Sequence, residues 1–441
     1  MIKFAQLFLS LTILITLHEF GHFYFAKKFK TRVDKFYLFF DFLFPFANIF
    51  NFAIFKKKIG DTEYGLGWFP FGGYVQIAGM VDEQMDAEAL KTEPQPWELR
   101  SKPAWQRLLI MMGGIIVNFF LGILIFWMVL LAWGKETIPM EKLQYGISCD
   151  SIALDMGLRD GDYIVSVDNE PVKTLNRVAI TVIMEKAKSI QVKRDGQIVN
   201  IPVSEDNISV ILKNLKKSPF ISVRMPTEVD SIIAESPAEK AGLKKGDLII
   251  GVNNTPTPFY GELQRQLSGL RGKAVDLKVV RGTDSLSLKT TIEKEGKLGF
   301  YNNKLKYTPV DTATFGFFGA LSQGFKDGIE SIVMQAKQFV VIFTVKDAHK
   351  QVGGFYSMYQ NMNPTWDWHD FWTFTAFLSL VLAFMNFLPI PMLDGGYILF
   401  ILIEMISRRK VPEKVIYYAN YVGLVLILGL MIYANTDWLR N

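Results

Sequence analysis

The chain has one cysteine and four histidines among 441 residues, and this scarcity limits the metal sites it can build. With Cys149 alone, an internal disulfide framework and any multi-cysteine metal site are excluded. The histidines are His18, His22, His349 and His369. A third ligand beside two imidazoles is therefore expected to be a carboxylate, and counting alone leaves His349 and His369 as alternatives. The sequence also lacks a basic block interleaved with aromatic residues, so it offers no nucleic-acid surface.

Two of the histidines belong to the motif His18-Glu19-x-x-His22, which lies inside the first apolar segment. On a helix, residues four apart share one face, so both imidazoles can offer a nitrogen to one zinc ion. Glu19 is then placed to take a proton from a zinc-bound water. Lys3 is the one charged residue between positions 2 and 17, which favours a membrane helix carrying functional ionisable groups. A soluble zinc enzyme with a buried core helix is the alternative.

Four apolar segments predict membrane spans in a chain that is 50% hydrophobic and holds 36 Phe. The predicted spans are residues 4–26, 108–133, 371–393 and 415–435. Basic clusters at residues 27–32, 56–58 and 408–410 place their flanks in the cytoplasm and both termini outside it. The first segment lacks a small-residue cleavage box, so we interpret it as a retained span rather than a signal peptide. The predicted membrane domain therefore has two halves, residues 1–134 and 371–441.

A glycine-punctuated aromatic segment, residues 60–80, follows the second basic cluster. Aromatic and β-branched residues between glycines favour short strands over a helix. A bare β-hairpin cannot face lipid with unpaired edge groups, so we expect it to lie against the helices near the metal, with one edge available. A plain cytoplasmic loop is the alternative. Residues 81–107 are polar and contain prolines, which predicts a surface segment.

The soluble part of the chain contains an internal repeat. The pattern Ser-x-Ala-x3-Gly-Leu-x2-Gly-Asp-x-Ile-x2-Val-x3-Pro begins at Ser151 and again, without a gap, at Ser236. In each copy Gly-Asp-x-Ile predicts a turn followed by a strand, and both copies resemble PDZ domains, at residues 135–220 and 221–300. Such domains bind extended peptides by adding them to a sheet edge, and spacers that bind nothing are the alternative. Residues 301–370 are predicted to be a linker with an amphipathic helix on the membrane surface.

The third predicted span ends in a second motif that carries chemistry. It reads Asn386-x-x-Pro389-x-Pro391-x-x-Asp394-Gly395. The two prolines remove backbone donors and break the helix, which is tolerated at membrane depth only where protein or water covers the break. Asp394 is a lone carboxylate in this apolar stretch, and a zinc ion held by His18 and His22 would give it a partner. Two imidazoles and one carboxylate leave a fourth position for water, as in catalytic sites. Glu404 is the competing carboxylate.

These features together resemble the site-2 protease family of intramembrane zinc metalloproteases, peptidase M50, and within it the RseP-like regulators of sigma-E. The resemblance runs nearly end to end, and Asn118 in the second span is part of it. It implies that His18, His22 and Asp394 bind one Zn²⁺ per chain and that Glu19 activates water. It further implies that substrate is contacted by Asn118, Asn386, Pro389, Pro391, Gly65, Gly67, Gly72, Gly73 and Tyr74. The chain departs from many relatives at Tyr397, where they have His, and at Gly353-Gly354, where they have Gly-Pro.

The fold implied by the resemblance is a polytopic α-helical membrane protein with four transmembrane helices, a membrane-associated β-hairpin and two extracytoplasmic α+β PDZ domains. The implied reaction is hydrolysis of peptide bonds within single-pass membrane proteins of the bacterial inner membrane, at a site open to the cytoplasm. Pre-cleaved anti-sigma factors and remnant signal peptides are the implied substrates. The PDZ pair would exclude bulky substrates or bind peptide C-termini. The alternatives are a PDZ scaffold and a proteolytically inactive zinc-binding relative. A scaffold would leave the ionisable residues of the two motifs unexplained. An inactive relative would not need to keep Glu19, which is present.

Overall fold

The computed structural model describes residues 1–43, 50–70, 72–80, 93–214 and 219–436. The chain forms two compact units. The first contains Met1–Gly134, Thr314–Phe339 and Val352–Asn441, and the second contains Lys135–Ala313 and Val340–Gln351. The first part of the predicted surface segment, residues 81–92, lies outside the described residues.

Helices make up most of the first unit. In the described ranges the α-helices are α1 Ile2–Lys28, α2 Ala104–Trp133, α3 Ser151–Asp155, α4 Leu175–Met184, α5 Glu205–Asn214, α6 Pro237–Lys240, α7 Tyr260–Ser268, α8 Lys304–Tyr307, α9 Phe317–Thr344, α10 Phe355–Asn361, α11 Trp368–Phe387, α12 Asp394–Ser407 and α13 Glu413–Asn435.

Strands form one sheet in the first unit and several in the second. Over the same ranges the strands are β1 Val33–Leu38, β2 Ala53–Ile59, β3 Thr62–Gly67, β4 Tyr74–Ile77, β5 Lys135–Thr137, β6 Ile147–Cys149, β7 Tyr163–Val167, β8 Glu170–Pro171, β9 Ser189–Arg194, β10 Gln197–Pro202, β11 Ile221–Val223, β12 Val229–Ile232, β13 Leu248–Val252, β14 Thr255–Pro256, β15 Ala274–Arg281, β16 Asp284–Thr291, β17 Phe300–Asn302 and β18 Asp311–Ala313.

Four described helices, α1, α2, α11 and α13, are long and apolar enough to cross a membrane. Three of them agree closely with the predicted spans, but the predicted third span, residues 371–393, was too long. The helix α11 ends at Phe387 because Pro389 and Pro391 cannot continue its hydrogen bonding. Residues 388–393 form a non-helical turn, and the separate helix α12 then begins at Asp394. No span was predicted for residues 394–414, so α12 was not anticipated.

The helix α2 is central to the first unit, with α1 and α11 packed against it. A Cβ atom on Gly21 would lie 2.3 Å from the carbonyl oxygen of Gly113, so the backbones of α1 and α2 touch at these glycines. A hydrogen bond connects α11 to α2, since Ser379 Oγ of α11 donates to the Asn118 carbonyl of α2 at 2.7 Å. Close backbone contact and interhelical hydrogen bonds are the usual means of holding helices together in a membrane.

The predicted hairpin at residues 60–80 is part of a larger mixed sheet with strand order β2-β3-β1-β4. The strands β2 and β3 form an antiparallel hairpin, β1 runs parallel to β3, and β4 runs antiparallel to β1. The strand β1 lies in the aromatic stretch after the first basic cluster, where the sequence analysis predicted no strand. The outermost strands of the sheet are therefore β2 and β4. Phe71, within the predicted segment, lies outside the described residues.

The second unit contains two modules that correspond to the internal repeat. Four-stranded sheets have the orders β10-β9-β7-β8 and β14-β13-β15-β16, and the pairs β11-β6 and β12-β17 accompany them. Arg194 and Asp162 approach to 2.7 Å in the first copy, and Arg281 and Asp247 do the same in the second. Each arginine also donates to the carbonyl of the glycine five residues before its aspartate. The repeat in sequence is therefore matched by the same buried network in both copies.

The single cysteine, Cys149, lies in β6 with 2% of its surface exposed. Burial, together with the nearby carboxylates of Asp160 and Asp162, raises the pKa of its thiol to about 12. Its carbonyl oxygen accepts a hydrogen bond from Arg265 of the second copy, which also pairs with Asp160. Cys149 is therefore a core residue at the junction of the two modules.

Candidate metal centre and catalytic cavity

Three side chains from helices α1 and α12 converge at one point. His18 Nε2 lies 3.2 Å from Asp394 Oδ2, and His22 Nε2 lies 3.3 Å from the same oxygen. The two imidazole Nε2 atoms are 3.2 Å apart. The structure thus brings together the three ligands that the sequence analysis predicted, from segments near opposite ends of the chain.

This triangle fits a tetrahedral zinc ion. Zinc bonds of about 2.0–2.1 Å to nitrogen and carboxylate oxygen require ligand atoms about 3.3–3.4 Å apart in a tetrahedron. The three observed separations agree with that value. Asp394 Oδ2 is buried, and no hydrogen-bond donor reaches it in the part of the chain that the structure describes. A buried carboxylate oxygen facing two imidazole nitrogens is the donor set of a metal site.

The second imidazole nitrogen of each ligand contacts a neighbouring group. His22 Nδ1 lies 2.8 Å from the carbonyl oxygen of Ile110, which can only accept a hydrogen bond. The proton of His22 therefore resides on Nδ1, and the lone pair of Nε2 is free for the metal. His18 Nδ1 lies 3.4 Å from the Asn118 amide nitrogen. The helix α2 thus supplies the contacts behind both ligands.

Gly114 leaves the space that the two imidazoles occupy. A Cβ atom there would lie 2.5 Å from Cε1 of His18 and 2.6 Å from Nε2 of His22. Any larger residue at this position in α2 would therefore displace a ligand. The helix that packs against Gly114 is α1, which carries the His18-Glu19-x-x-His22 motif.

Glu19 lies in the same cavity, directly after the first ligand. The cavity has a volume of about 440 Å³. Its lining includes His18, Glu19, His22, Asn118, Asn386 and Asp394. The backbone N–H of Val75, in the outer strand β4, is directed at the Glu19 carboxylate. A carboxylate, the candidate metal triad and a strand edge therefore face one space.

Two glycines shape the turn that presents Asp394. A Cβ atom on Gly395 would lie 2.1 Å from the carbonyl oxygen of Leu388, and one on Gly396 would lie 2.6 Å from that of Ile390. The first turn of α12 therefore folds tightly against the proline-containing segment. This packing places Asp394 at the N-terminal end of α12, where a carboxylate also interacts favourably with the helix dipole.

Comparison with known proteins agrees with this geometry. The profile described as Peptidase family M50 matches residues 6–430. The chain belongs to peptidase family M50. It is a site-2-type intramembrane zinc metalloprotease, and its cofactor is zinc.

Three curated bacterial relatives match over nearly their full length. The chain is 26% identical over 455 residues to the regulator of sigma-E protease RseP of Escherichia coli K12, covering 97% of both chains. It is 26% identical over 461 residues to the protease RseP of Yersinia pestis, again covering 97% of both. It is 24% identical over 461 residues to the regulator of sigma E protease of Haemophilus influenzae, covering 98% of this chain and 97% of the relative.

The residues predicted to contact substrate divide into two groups. Those that line the cavity are Asn118, Asn386, Gly72, Gly73 and Tyr74. Those outside its lining are Gly65, Gly67, Pro389 and Pro391. A Cβ atom on Gly65 would lie 2.4 Å from the Tyr37 ring, so packing within the sheet accounts for this glycine. Substrate contact remains a prediction for every residue in both groups.

The competing ligands do not join the triad. Glu404 Oε1 lies 2.5 Å from an Nη atom of Arg107, so this carboxylate is paired with a cation instead. His369 lies beside Asp370 in the first turn of α11, with Nδ1 3.5 Å from the carboxylate. His349 belongs to the second unit.

Sequence analysis missed three contributors to the site. They are Ile110, through its carbonyl oxygen, Gly114, through its lack of a side chain, and Asn420, which contacts the turn before Asp394. A backbone carbonyl leaves no sequence signal. A glycine in an apolar helix does not indicate which side chain occupies the space beside it. Asn420 was detectable as one of two amides, with Asn435, within the predicted span 415–435.

Proposed function

We propose that this protease cleaves single-pass membrane proteins within their transmembrane segments, in the bacterial inner membrane, and that the cavity is its active site. The observation that supports this most strongly is the convergence of His18, His22, Asp394 and Glu19 on one space. The helices α1 and α11, which flank that space, are long and apolar enough to span a bilayer.

Glu19 is the general base of the proposed reaction. A zinc ion held by His18, His22 and Asp394 would lower the pKa of a bound water and polarise the scissile carbonyl. Glu19 takes the proton of the attacking water and returns it to the leaving amine. The amide nitrogen of Asn386 lies 3.5 Å from His18 Nε2 and can donate a hydrogen bond beside the metal position. Asn386 would thereby hold the substrate carbonyl and stabilise charge that develops on it.

The strand β4 would receive the unwound substrate. A transmembrane helix hides its carbonyl groups in its own hydrogen bonds, and unwinding it in lipid leaves those groups unpaired. An extended peptide that adds to a sheet edge regains backbone hydrogen bonds. The strand β4 is an outer strand of its sheet, and Gly73, Tyr74, Val75 and Ile77 line the cavity. These positions favour β4, rather than the β3 glycines, as the edge that pairs with substrate.

The two repeat modules are proposed to be PDZ domains on the extracytoplasmic side. Their support is the repeated Gly-Asp-x-Ile motif, whose turn glycine has a φ of +92° at Gly161 and +88° at Gly246. The matching sheets β10-β9-β7-β8 and β14-β13-β15-β16 add to it. The basic residues Lys27 and Lys28 at the end of α1 favour a cytoplasmic position for that end. Both chain termini would then be extracytoplasmic, and the active site would open toward the cytoplasm.

The substrate is proposed to be a membrane-bound regulator shortened by an earlier cleavage. Two relatives are named as regulator of sigma-E proteases, and full-length similarity supports a related role for this chain. An anti-sigma factor fits that role, and remnant signal peptides have the same chemistry. The PDZ pair would exclude intact, bulky ectodomains or bind the new C-terminus of a shortened substrate.

One experiment separates this function from its rivals. The purified chain in detergent is assayed for zinc and for cleavage of a model transmembrane peptide, beside Glu19→Gln and the exposed control Glu170→Gln. We expect wild type and control to bind zinc and to cut. Glu19→Gln should keep zinc and lose at least about 3 kcal/mol of transition-state stabilisation, on the order of a general-base effect. Zinc binding without cleavage would identify an inactive relative, and the absence of both would identify a scaffold.

A further inference from the structure

The ligand Asp394 depends for its position on a strained turn. Residues 388–393 are not helical, and Met392, two residues before Asp394, has a φ of +81°. A side chain other than glycine adopts this left-handed conformation only when its surroundings enforce it. Within the turn, Leu393 N donates to the carbonyl of Ile390 at 3.1 Å. This bond closes a β-turn with Pro391 and Met392 at its central positions, and it leaves the N–H of Met392 to find its partner outside the turn.

Asn420 of α13 provides the contacts to this turn. Its Oδ1 accepts a hydrogen bond from Met392 N at 3.2 Å, and its Nδ2 donates to the Tyr397 hydroxyl at 2.8 Å. Tyr397 lies one turn after Asp394 in α12. Both halves of the Asn420 amide therefore bond to residues on either side of the ligand. The side chain is 1% exposed, so no bulk water competes for these bonds.

The neighbouring turn of α13 reinforces the same contact. Gly423 follows Asn420 by three residues and shares its face of the helix. A Cβ atom on Gly423 would lie 2.1 Å from the carbonyl oxygen of Pro391, so the backbone of α13 rests directly on the turn. Most apolar side chains of α13 are otherwise exposed on the surface of this chain. An amide buried in a membrane helix is costly unless its partners are fixed, and here both partners belong to the segment that carries Asp394.

We propose that Asn420, acting with Tyr397, is a positioning residue that sets the Asp394 carboxylate at bonding distance from the metal held by His18 and His22. The inference rests on the proposed zinc function of those three residues. Asn420 acts through the Met392 peptide and the Tyr397 hydroxyl, and both side chains also belong to the lining of the cavity. Tyr397, which departs from the histidine of many relatives, gains a defined partner in this arrangement.

The test measures the zinc dissociation constant of the full chain in detergent by chelator competition. Asn420→Leu removes both hydrogen bonds at similar volume, and Tyr397→Phe removes only the hydroxyl contact. Asn435→Leu is the matched control, since Asn435 lies on the same helix and accepts from Phe355 N at 2.9 Å, at the opposite end of α13. We expect Asn420→Leu to weaken zinc binding roughly 10- to 100-fold, as for other residues that orient a metal ligand, and Tyr397→Phe to weaken it less. The control should bind zinc like wild type.

Combining Asn420→Leu with Tyr397→Phe distinguishes a positioning role from general destabilisation of the protein. Because Tyr397→Phe and Asn420→Leu both remove the same Asn420–Tyr397 hydrogen bond, the double variant should bind zinc no more weakly than Asn420→Leu alone, whereas independent effects would multiply. Excess zinc should restore one ion per chain in each variant. If Asn420→Leu does not fold, Tyr397→Phe against the control decides the question alone. A zinc-binding wild type whose variants bind equally tightly would overturn this inference only, whereas a wild type without zinc would overturn the proposed function and this inference together.

Discussion

His18 Nδ1 and the amide of Asn118 lie 3.4 Å apart, with Asn118 fully buried in α2. Metal binding through His18 Nε2 requires the proton on Nδ1, which then needs an acceptor. Asn118 Oδ1 is buried with no donor among the described residues. Rotating the amide by 180° places Oδ1 beside His18 Nδ1, so the proton on Nδ1 gains an acceptor and Oδ1 gains a donor. Asn118 would thereby orient a metal ligand, a role beyond the substrate contact that the sequence suggested.

Asn118→Leu removes this acceptor at similar volume. We expect zinc affinity to fall roughly 10- to 100-fold, the usual effect of losing the hydrogen-bond partner of a ligand histidine. Chelator competition on the purified chain measures the change. Asn118→Asp, which keeps an acceptor oxygen, should recover most of the affinity. Equal zinc affinity in wild type and Asn118→Leu would show that the contact does not orient His18.

Gly114→Ala tests the fit of the two imidazoles against α2. The added methyl would overlap His18 Cε1 at 2.5 Å, and the helices cannot separate without disturbing the close Gly21–Gly113 contact. We expect zinc affinity to fall at least about tenfold, a loss comparable to that of a ligand-orienting group. The control is Gly429→Ala in α13, because no described atom lies within 4 Å of a Cβ at that position. A Gly114→Ala variant with wild-type zinc content and activity would rule out this constraint.

Asp247 gives the second repeat module a defined pH dependence. Burial acts to raise the pKa of its carboxyl, but the hydrogen bonds from Arg281 and from the Lys244 backbone N–H outweigh burial and hold the pKa below its usual value. A group with a lowered pKa in the folded state stabilises the protein above its unfolded pKa, about 3.9, and this stabilisation is lost as the pH falls further. Calorimetry between about pH 7 and about pH 3 should therefore show an acid-sensitive transition.

Substitution of Asp247 isolates this effect. We expect Asp247→Asn to cost roughly 1–3 kcal/mol at neutral pH and to flatten the acid dependence, because the charge-assisted hydrogen bonds are gone. Asp230→Asn is the control, since Asp230 forms an exposed pair with Lys245 that should be worth less than about 1 kcal/mol. An unchanged pH profile in Asp247→Asn would assign the acid sensitivity to other groups.

The candidate metal residues could be predicted from the sequence because they carry unusual signals. Charged and imidazole groups in apolar segments are costly, so His18, Glu19, His22 and Asp394 stood out from their surroundings. The repeat was equally visible, because Gly-Asp-x-Ile recurs at Gly161 and Gly246 with fixed spacing. Local signals of this kind can be recognised from a single sequence.

What sequence reasoning missed depends on tertiary packing. The strand β1 lies in an aromatic stretch without turn signals at both ends, and only its pairing with β3 and β4 defines it. The helix α12 falls between the predicted spans 371–393 and 415–435, and it was not predicted because its 14 residues are too few to span a bilayer. Gly114 and Asn420 act through groups brought close by the fold, on helices far apart in sequence. No local pattern encodes such distances.

The most direct measurement is zinc X-ray absorption on the purified full chain, beside His22→Ala, Asp394→Asn and Glu19→Gln. Wild type should hold one zinc ion with nitrogen and oxygen ligands at about 2.0–2.1 Å and no sulfur. Glu19→Gln should retain this shell while losing cleavage, and both ligand variants should lose zinc or one ligand from the shell. A sulfur-containing shell in wild type, or the same shell in His22→Ala and Asp394→Asn, would contradict a zinc ion bound by His18, His22 and Asp394.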